Sequence, residues 1–182
     1  MFELMPGDIL VFKGAGPAWW ILSRLLRIFE GWWDSWGWHM AYVSRINREG
    51  QVWITEGTWP VSREVLLDEK REYRVYRVLP QPVDVIKLRQ FTLDHLGKRY
   101  DVAIYFLTSC QYLFRHFLNR PIPRLLDDRY TCWELCEELT AFFGILWGSR
   151  YDCPMITDFL EWAEELLITE AADAAVRLQK SV

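Results

Sequence analysis

Residues 38–57 read WHMAYVSRINREGQVWITEG. The strand-like segments WHMAYVSRI and QVWITEG flank Asn47-Arg48-Glu49-Gly50, which carries the turn chemistry of a hairpin. Two antiparallel strands are therefore predicted, over 38–46 and 51–57. On the second, Val52, Ile54 and Glu56 share one face and Trp53 and Thr55 the other, because successive side chains alternate. Glu56 is then an acid on an apolar strand face, where a carboxylate must find a partner or shift its pKa. His39 opens the neighbouring strand straight after an aromatic, Gly-containing loop, where a side chain reaches a cleft rather than a helix surface. A cross-strand imidazole is one partner for Glu56. The plainer accounts also stand: a solvent-facing carboxylate beside Gly57, and a hydrogen-bonded strand-end histidine.

Outward from the hairpin, MPGDILVF (5–12) joins a turn signal to a short apolar run and predicts a turn and a strand. From Ala18 to Phe29, Trp20, Ile21, Leu25 and Ile28 recur at helical spacing, with Arg24 and Arg27 on another side: an amphipathic helix. Downstream, EYRVYRVLP (72–80) reads as a third strand ended by Pro80 and Pro82. Asp84 to Leu96 reads as a helix closed by Gly97. Tyr100 to Leu118 follows as a long apolar helix, and 119–129 as a loop. TCWELCEELTAFFG (131–144) is a helix, 149–154 a turn and 155–167 a last helix. Helices flanking antiparallel strands make an α+β layout.

The helix at 131 carries the nucleophile candidate. Thr131 and Glu134 fit a capping box, which puts Cys132 on the first helical residue. Unpaired N–H groups and the positive end of the helix dipole favour an anion there, and the thiolate is a thiol's reactive form. Leu135, Cys136, Leu139, Phe142 and Phe143 predict a buried stripe on the side that carries Cys132. A small buried residue remains the bland account of Cys132. Cys110, Cys136 and Cys153 read as structural. His95 and His116 read as helix C-terminal residues.

Composition bounds the partners. The net charge of -4 argues against nucleic acid. Aromatics reach 16%, with eleven Trp, and Trp32, Trp33, Trp36 and Trp38 fall within seven positions, which suits a groove or interface as well as core packing. With the 18–29 segment, this cluster raises contact with an apolar substrate or a membrane surface as an expectation, beside core packing and a hydrophobic rim. The opening MFELMPGD shows no secretory signal and no run has the length of a membrane span. Reducing cytoplasm is the expected setting, where thiols stay free. A zinc site from Cys132, Cys136, Cys153 and His39 fits poorly, since Cys-x₃-Cys within one helix lacks the usual turn between ligands. No metal and no cofactor are expected, and oligomeric state is left open.

In order, GDILVF, WHMAYV, WITEG, GKRYD and YTCWELCEEL resemble the circularly permuted branch of the papain-like NlpC-type peptidases, the YiiX-like proteins. Lecithin:retinol acyltransferase relatives look like a neighbouring branch. The histidine strand precedes the cysteine helix here, as in the permuted family, and the resemblance runs from about Pro6 to about Phe159. It implies one permuted papain-like domain over residues 1–182, with a C-terminal helix and tail from about residue 155, and a small antiparallel sheet or barrel packed on helices. It further implies Cys132 as nucleophile, His39 as base and Glu56 as the orienting third residue. Trp38, Tyr100 and Trp133 are candidates to contact substrate, with Trp133 standing where relatives often carry a small residue. Asp8 reads as a turn-holding residue. The expected activity is thiol hydrolysis of amide bonds, with a peptide, cell-wall-type amide included. The alternatives are acyl transfer or hydrolysis on lipid-like esters, or an inactive binding module of the same fold.

Overall fold

The structure is a computed structural model, and it describes residues 3–14, 37–68, 70–100 and 129–146, with Phe159, Trp162 and Ala163. Five strands form one open antiparallel sheet: β1 (Ile9–Lys13), β2 (Gly37–Ile46), β3 (Val52–Glu56), β4 (Arg63–Leu66) and β5 (Tyr73–Tyr76), in the order β4-β3-β2-β1-β5. Helix α1 (Val85–His95) follows. Two short strands, β6 (Arg99–Tyr100) and β7 (Arg129–Tyr130), pair in parallel, and β7 leads into helix α2 (Cys132–Phe142). The α+β layout read from the sequence is the one found.

The hairpin forms as its turn chemistry requires. The Asn47 side chain accepts the N–H groups of Glu49 and Gln51, and β2 pairs β3 with Ala41 opposite Glu56. Ahead of it, Asp8 accepts the N–H of Met5 at 2.8 Å and a two-nitrogen clasp from Arg77 at 2.8 and 2.9 Å. Asp8 is fully buried, so this pairing is what makes its burial tolerable.

The sheet is apolar on both faces. Ile9, Val11, Met40, Tyr42 and Tyr76 pack with Leu88 and Phe91 of α1, with Leu135, Cys136 and Leu139 of α2, and with Phe159. Leu10, Phe12, Ala41, Val43, Ile54 and Leu67 form a second cluster on the opposite face. Alternation along β1 and β2 divides the two sets. Asp84 caps α1 by accepting from Ile86 and Lys87 N–H, and Gly97, at φ +81°, takes the left-handed conformation that lets the chain leave the helix.

Four expectations need correction. β4 was not foreseen: REVL is a four-residue edge strand with charged residues and no apolar alternation. The strand at 73–76 is therefore the fifth, and it pairs with β1. Tyr100 belongs to β6 rather than to the start of a long helix, and Arg129 to β7 rather than to a loop, because the two segments pair with each other. Phe142 is 49% exposed, since 100° per residue places it at the flank of a stripe running through Cys132 and Phe143.

The helix expected at 18–29, the Trp32–Trp36 cluster, the 149–154 turn, Cys110, His116 and Cys153 lie outside the described residues, as does most of the helix expected at 155–167. Phe159, Trp162 and Ala163 of that last segment are helical. Among the described residues, no helix is long and apolar enough to cross a membrane.

Candidate active site

Thr131 builds the start of α2. Its side chain accepts the Glu134 N–H, and its own N–H donates to Glu134 Oε2 at 2.8 Å, completing the reciprocal capping box expected from the sequence. Cys132 is thus the first helical residue. Its N–H lies in the turn where a helix has no internal acceptor to offer. The thiol is buried, with 1% of the residue exposed.

Glu56 is the last residue of β3, and Gly57 brings that strand end against the helix. A Cβ at position 57 would sit 3.1 Å from Cys132 Cα and 3.1 Å from the Thr131 carbonyl oxygen. A side chain there would crowd these backbones, and glycine lets them approach without that strain. The 57–61 connection is held from its far side: Tyr100 N–H donates to the Pro60 carbonyl at 3.0 Å, and Val61 bridges to Arg99. Because β6 pairs with β7, the end of β3 and the start of α2 are tied twice, once by direct contact and once through Tyr100 and Tyr130.

His39 lies on β2 opposite Phe12, next to the register irregularity between Phe12 and Lys13. Irregularities of this kind re-aim side chains and recur beside active sites. The His39 Nε2–H donates to Glu56 Oε2 at 2.9 Å. With Nε2 on the carboxylate, Nδ1 is the nitrogen left for the Cys132 sulfur, which lies near enough for its charge to act on the ring. The Phe12 ring packs beside the imidazole, centroids 5.9 Å apart. Cys132, His39 and Glu56, named separately from the sequence, therefore meet in one line.

The electrostatics follow from that line. Burial alone would lower the His39 pKa, but the charge of Cys132, the hydrogen bond to it, and then Glu56 outweigh burial and raise it to about 9. Burial would raise the Glu56 pKa, but the hydrogen bond and charge of His39, then Arg63 and Arg71, hold it down to about 2. Both groups are thus held in their charged forms near neutral pH. Cys136, one turn deeper and buried, is pushed well above the ordinary thiol value by burial and then by the neighbouring Cys132. It stays protonated, which leaves Cys132 as the nucleophile candidate among the described cysteines.

Two residues of the site escaped the sequence reading. Arg63 and Arg71 both bond the Glu56 carboxylate. Arg63 sits opposite Glu56 on β4, so recognising that edge strand would have found it. No local signal marks Arg71, whose position depends on the β4–β5 connection. The remaining candidates are placed as follows. Trp38 is in β2 next to His39, and its side chain lies outside the described residues. Tyr100 is half-buried in β6. Trp133 is buried in the core between sheet and helices. His95 stands apart from the thiol: its Nδ1–H donates to the Phe91 carbonyl at 2.7 Å and its Nε2 lies 3.0 Å from Glu138 Oε2, tying α1 to α2.

No family model matches the sequence, and no curated protein matches it. Among solved structures, the fold is similar to the crystal structure of the metalloprotein yiiX from Escherichia coli O157:H7, DUF1105. The TM-score is 0.52 at 16% identity, over 88% of this chain and 81% of that one. The likeness extends to the fold.

The donors at the Cys132 site do not fit a metal ion. Both Glu56 oxygens are engaged by His39, Arg63 and Arg71, and two guanidinium groups beside the carboxylate repel a cation. Cys132 and the second ring nitrogen of His39 alone fall short of the three or four protein ligands a transition metal takes. Among the described residues, no three His, Cys, Asp or Glu side chains gather elsewhere.

Proposed function

We propose that this protein is a papain-like thiol hydrolase of the NlpC type, cleaving an amide bond through a thioester on Cys132. The observation that carries the reading is the line Cys132–His39–Glu56, with Glu56 Oε2 2.9 Å from His39 Nε2 and the thiol on the first residue of a capped helix. Cysteine, imidazole and an orienting acceptor are the minimal set for thiol acyl transfer.

In the proposed cycle, the Cys132 proton has passed to His39 Nδ1 before substrate binds, and the sulfur attacks the substrate carbonyl carbon. The Cys132 N–H, free of an intrahelical acceptor, faces the developing oxyanion. His39 returns the proton to the leaving amine as the C–N bond breaks. Water, deprotonated by the same imidazole, then attacks the thioester, and the thiol is regenerated with release of the acid. Glu56 keeps the Nε2–H in place, so Nδ1 always faces the sulfur. Burial of Cys132 excludes bulk water, which strengthens each charge interaction along the line.

A panel of chromogenic peptide amides and acyl esters tests this reading. Turnover is expected on amides and lost in both Cys132→Ala and His39→Ala. Turnover that survives in Cys132→Ala, or confinement of activity to esters, would contradict the amidase.

A further inference from the structure

Glu56 receives more donors than orienting one imidazole requires, and the donors divide between its oxygens. Arg63 Nε and Nη2 both reach Oε1, at 3.1 and 2.9 Å. Arg71 Nη1 reaches Oε2 at 3.4 Å, the oxygen that His39 Nε2 holds at 2.9 Å. The two arginines are also seated differently. Arg63 extends from the edge strand with 57% of its side chain exposed. Arg71, at 37%, lays its guanidinium over the Phe12 ring at 3.8 Å, on the same ring that packs against His39.

We propose that the two arginines are positioning residues with different tasks on one carboxylate. Arg63 clamps Oε1 and so keeps Oε2 aimed at His39. Arg71 shares Oε2 with the imidazole and limits how much of the Glu56 charge His39 receives. This assignment rests on the thiol–imidazole reading above.

Among the described residues, few groups face this set. Glu56 comes from β3, Arg63 from β4, Arg71 from the β4–β5 connection and Cys132 from α2. From β1 comes Phe12, and Lys13 there is paired to Glu72 at 2.6 Å on the surface. The charge of Arg63 is largely screened by solvent at its exposure, so its geometric hold outweighs its field. Arg71 is more enclosed and sits on the shared oxygen, so its field on the imidazolium outweighs its hold on the carboxylate. Removing either therefore moves His39 in opposite directions.

The test is the pH dependence of Cys132 alkylation by iodoacetamide, followed by mass spectrometry on the Cys132 peptide in the full chain. A thiolate–imidazolium pair gives a two-step profile, and the upper step marks loss of the imidazolium proton. Arg71→Gln is expected to move the upper step to higher pH by about half a unit or more. Arg63→Gln is expected to move it to lower pH by a similar amount, because Arg71 and His39 then compete for a carboxylate free to turn. Arg63→Lys keeps the charge and loses the fork, and should move the step down less; it carries the test if Arg63→Gln does not fold. General loosening of the fold would move both sites alike. Shifts in the same direction, or no shift in either, overturn the assignment. A wild-type profile identical to that of His39→Ala overturns the thiol–imidazole pair itself, and the two failures are told apart in that way.

Discussion

At the scale of single residues, the site turns on Glu56, a carboxylate whose partners His39, Arg63 and Arg71 hold it charged and fixed. Glu56→Gln keeps the shape of the side chain while removing its charge and one acceptor. The amide can then offer His39 its oxygen or its nitrogen, and the imidazole loses its fixed tautomer. Turnover is expected to fall by roughly 10²–10⁴-fold with little change in KM, read from steady-state kinetics. Much of this residue set was legible beforehand. An acid on an apolar strand face predicts a partner, a histidine opening the adjacent strand supplies one, and a capping box fixes where Cys132 sits. The meeting of the three was not legible locally. It depends on Gly57 admitting the helix and on β7 delivering its start, and both are tertiary events. Arg71 lay further out of reach, because no pattern in REYRV (71–75) places a side chain against β3.

At the scale of elements, the site lies where the end of a strand meets the start of a helix. Gly57→Ala puts a methyl group 3.1 Å from Cys132 Cα, tighter than most real contacts of this kind, so α2 or the 57–61 connection must give by a few tenths of an ångström. About an ångström at a reacting atom costs on the order of 10²-fold in turnover, so a shift of a few tenths at the Cys132 sulfur is expected to cost roughly several-fold. The expected signature is a several-fold loss in kcat with a modest loss in melting temperature; an unchanged kcat would show that the contact does not set the geometry. Thr131→Ala removes the side-chain half of the capping box and should cost about 1 kcal/mol in urea unfolding. The hairpin and both described helices were readable because each carries its own punctuation: Asn47 to Gly50, Asp84 with Gly97, Thr131 with Glu134. β4, β6 and β7 carry none. Four- and two-residue strands owe their form to the neighbours they pair with, and a sequence window does not contain those neighbours.

At the scale of the whole molecule, the two perturbed groups define a window of stability. Glu56 is held at about 2, below its ordinary 4.5, so its contribution is present above about pH 4.5 and is lost as pH falls toward 2. His39 is raised from 6.5 to about 9, so its contribution is present below about pH 6.5 and is lost as pH rises through 9. Urea midpoints measured from pH 3 to 9.5 should therefore plateau between about pH 5 and 6.5 and fall on both sides. In Cys132→Ala the alkaline fall should shrink, because the charge that most raises His39 is gone. An alkaline limb identical in that variant would contradict the pairing. Away from the site, Leu135 is fully buried between sheet and helices, and Leu135→Ala should cost about 2–5 kcal/mol.

The proposed function is covalent chemistry at one sulfur, and its most direct measurement is the mass of the protein after mixing with substrate. Protein mixed with an activated acyl substrate and quenched in acid should carry one acyl group on the Cys132 peptide. The adduct should be removed by hydroxylamine, and it should accumulate far more slowly in His39→Ala. An adduct that persists in Cys132→Ala, or that forms at the same rate without His39, would contradict the account.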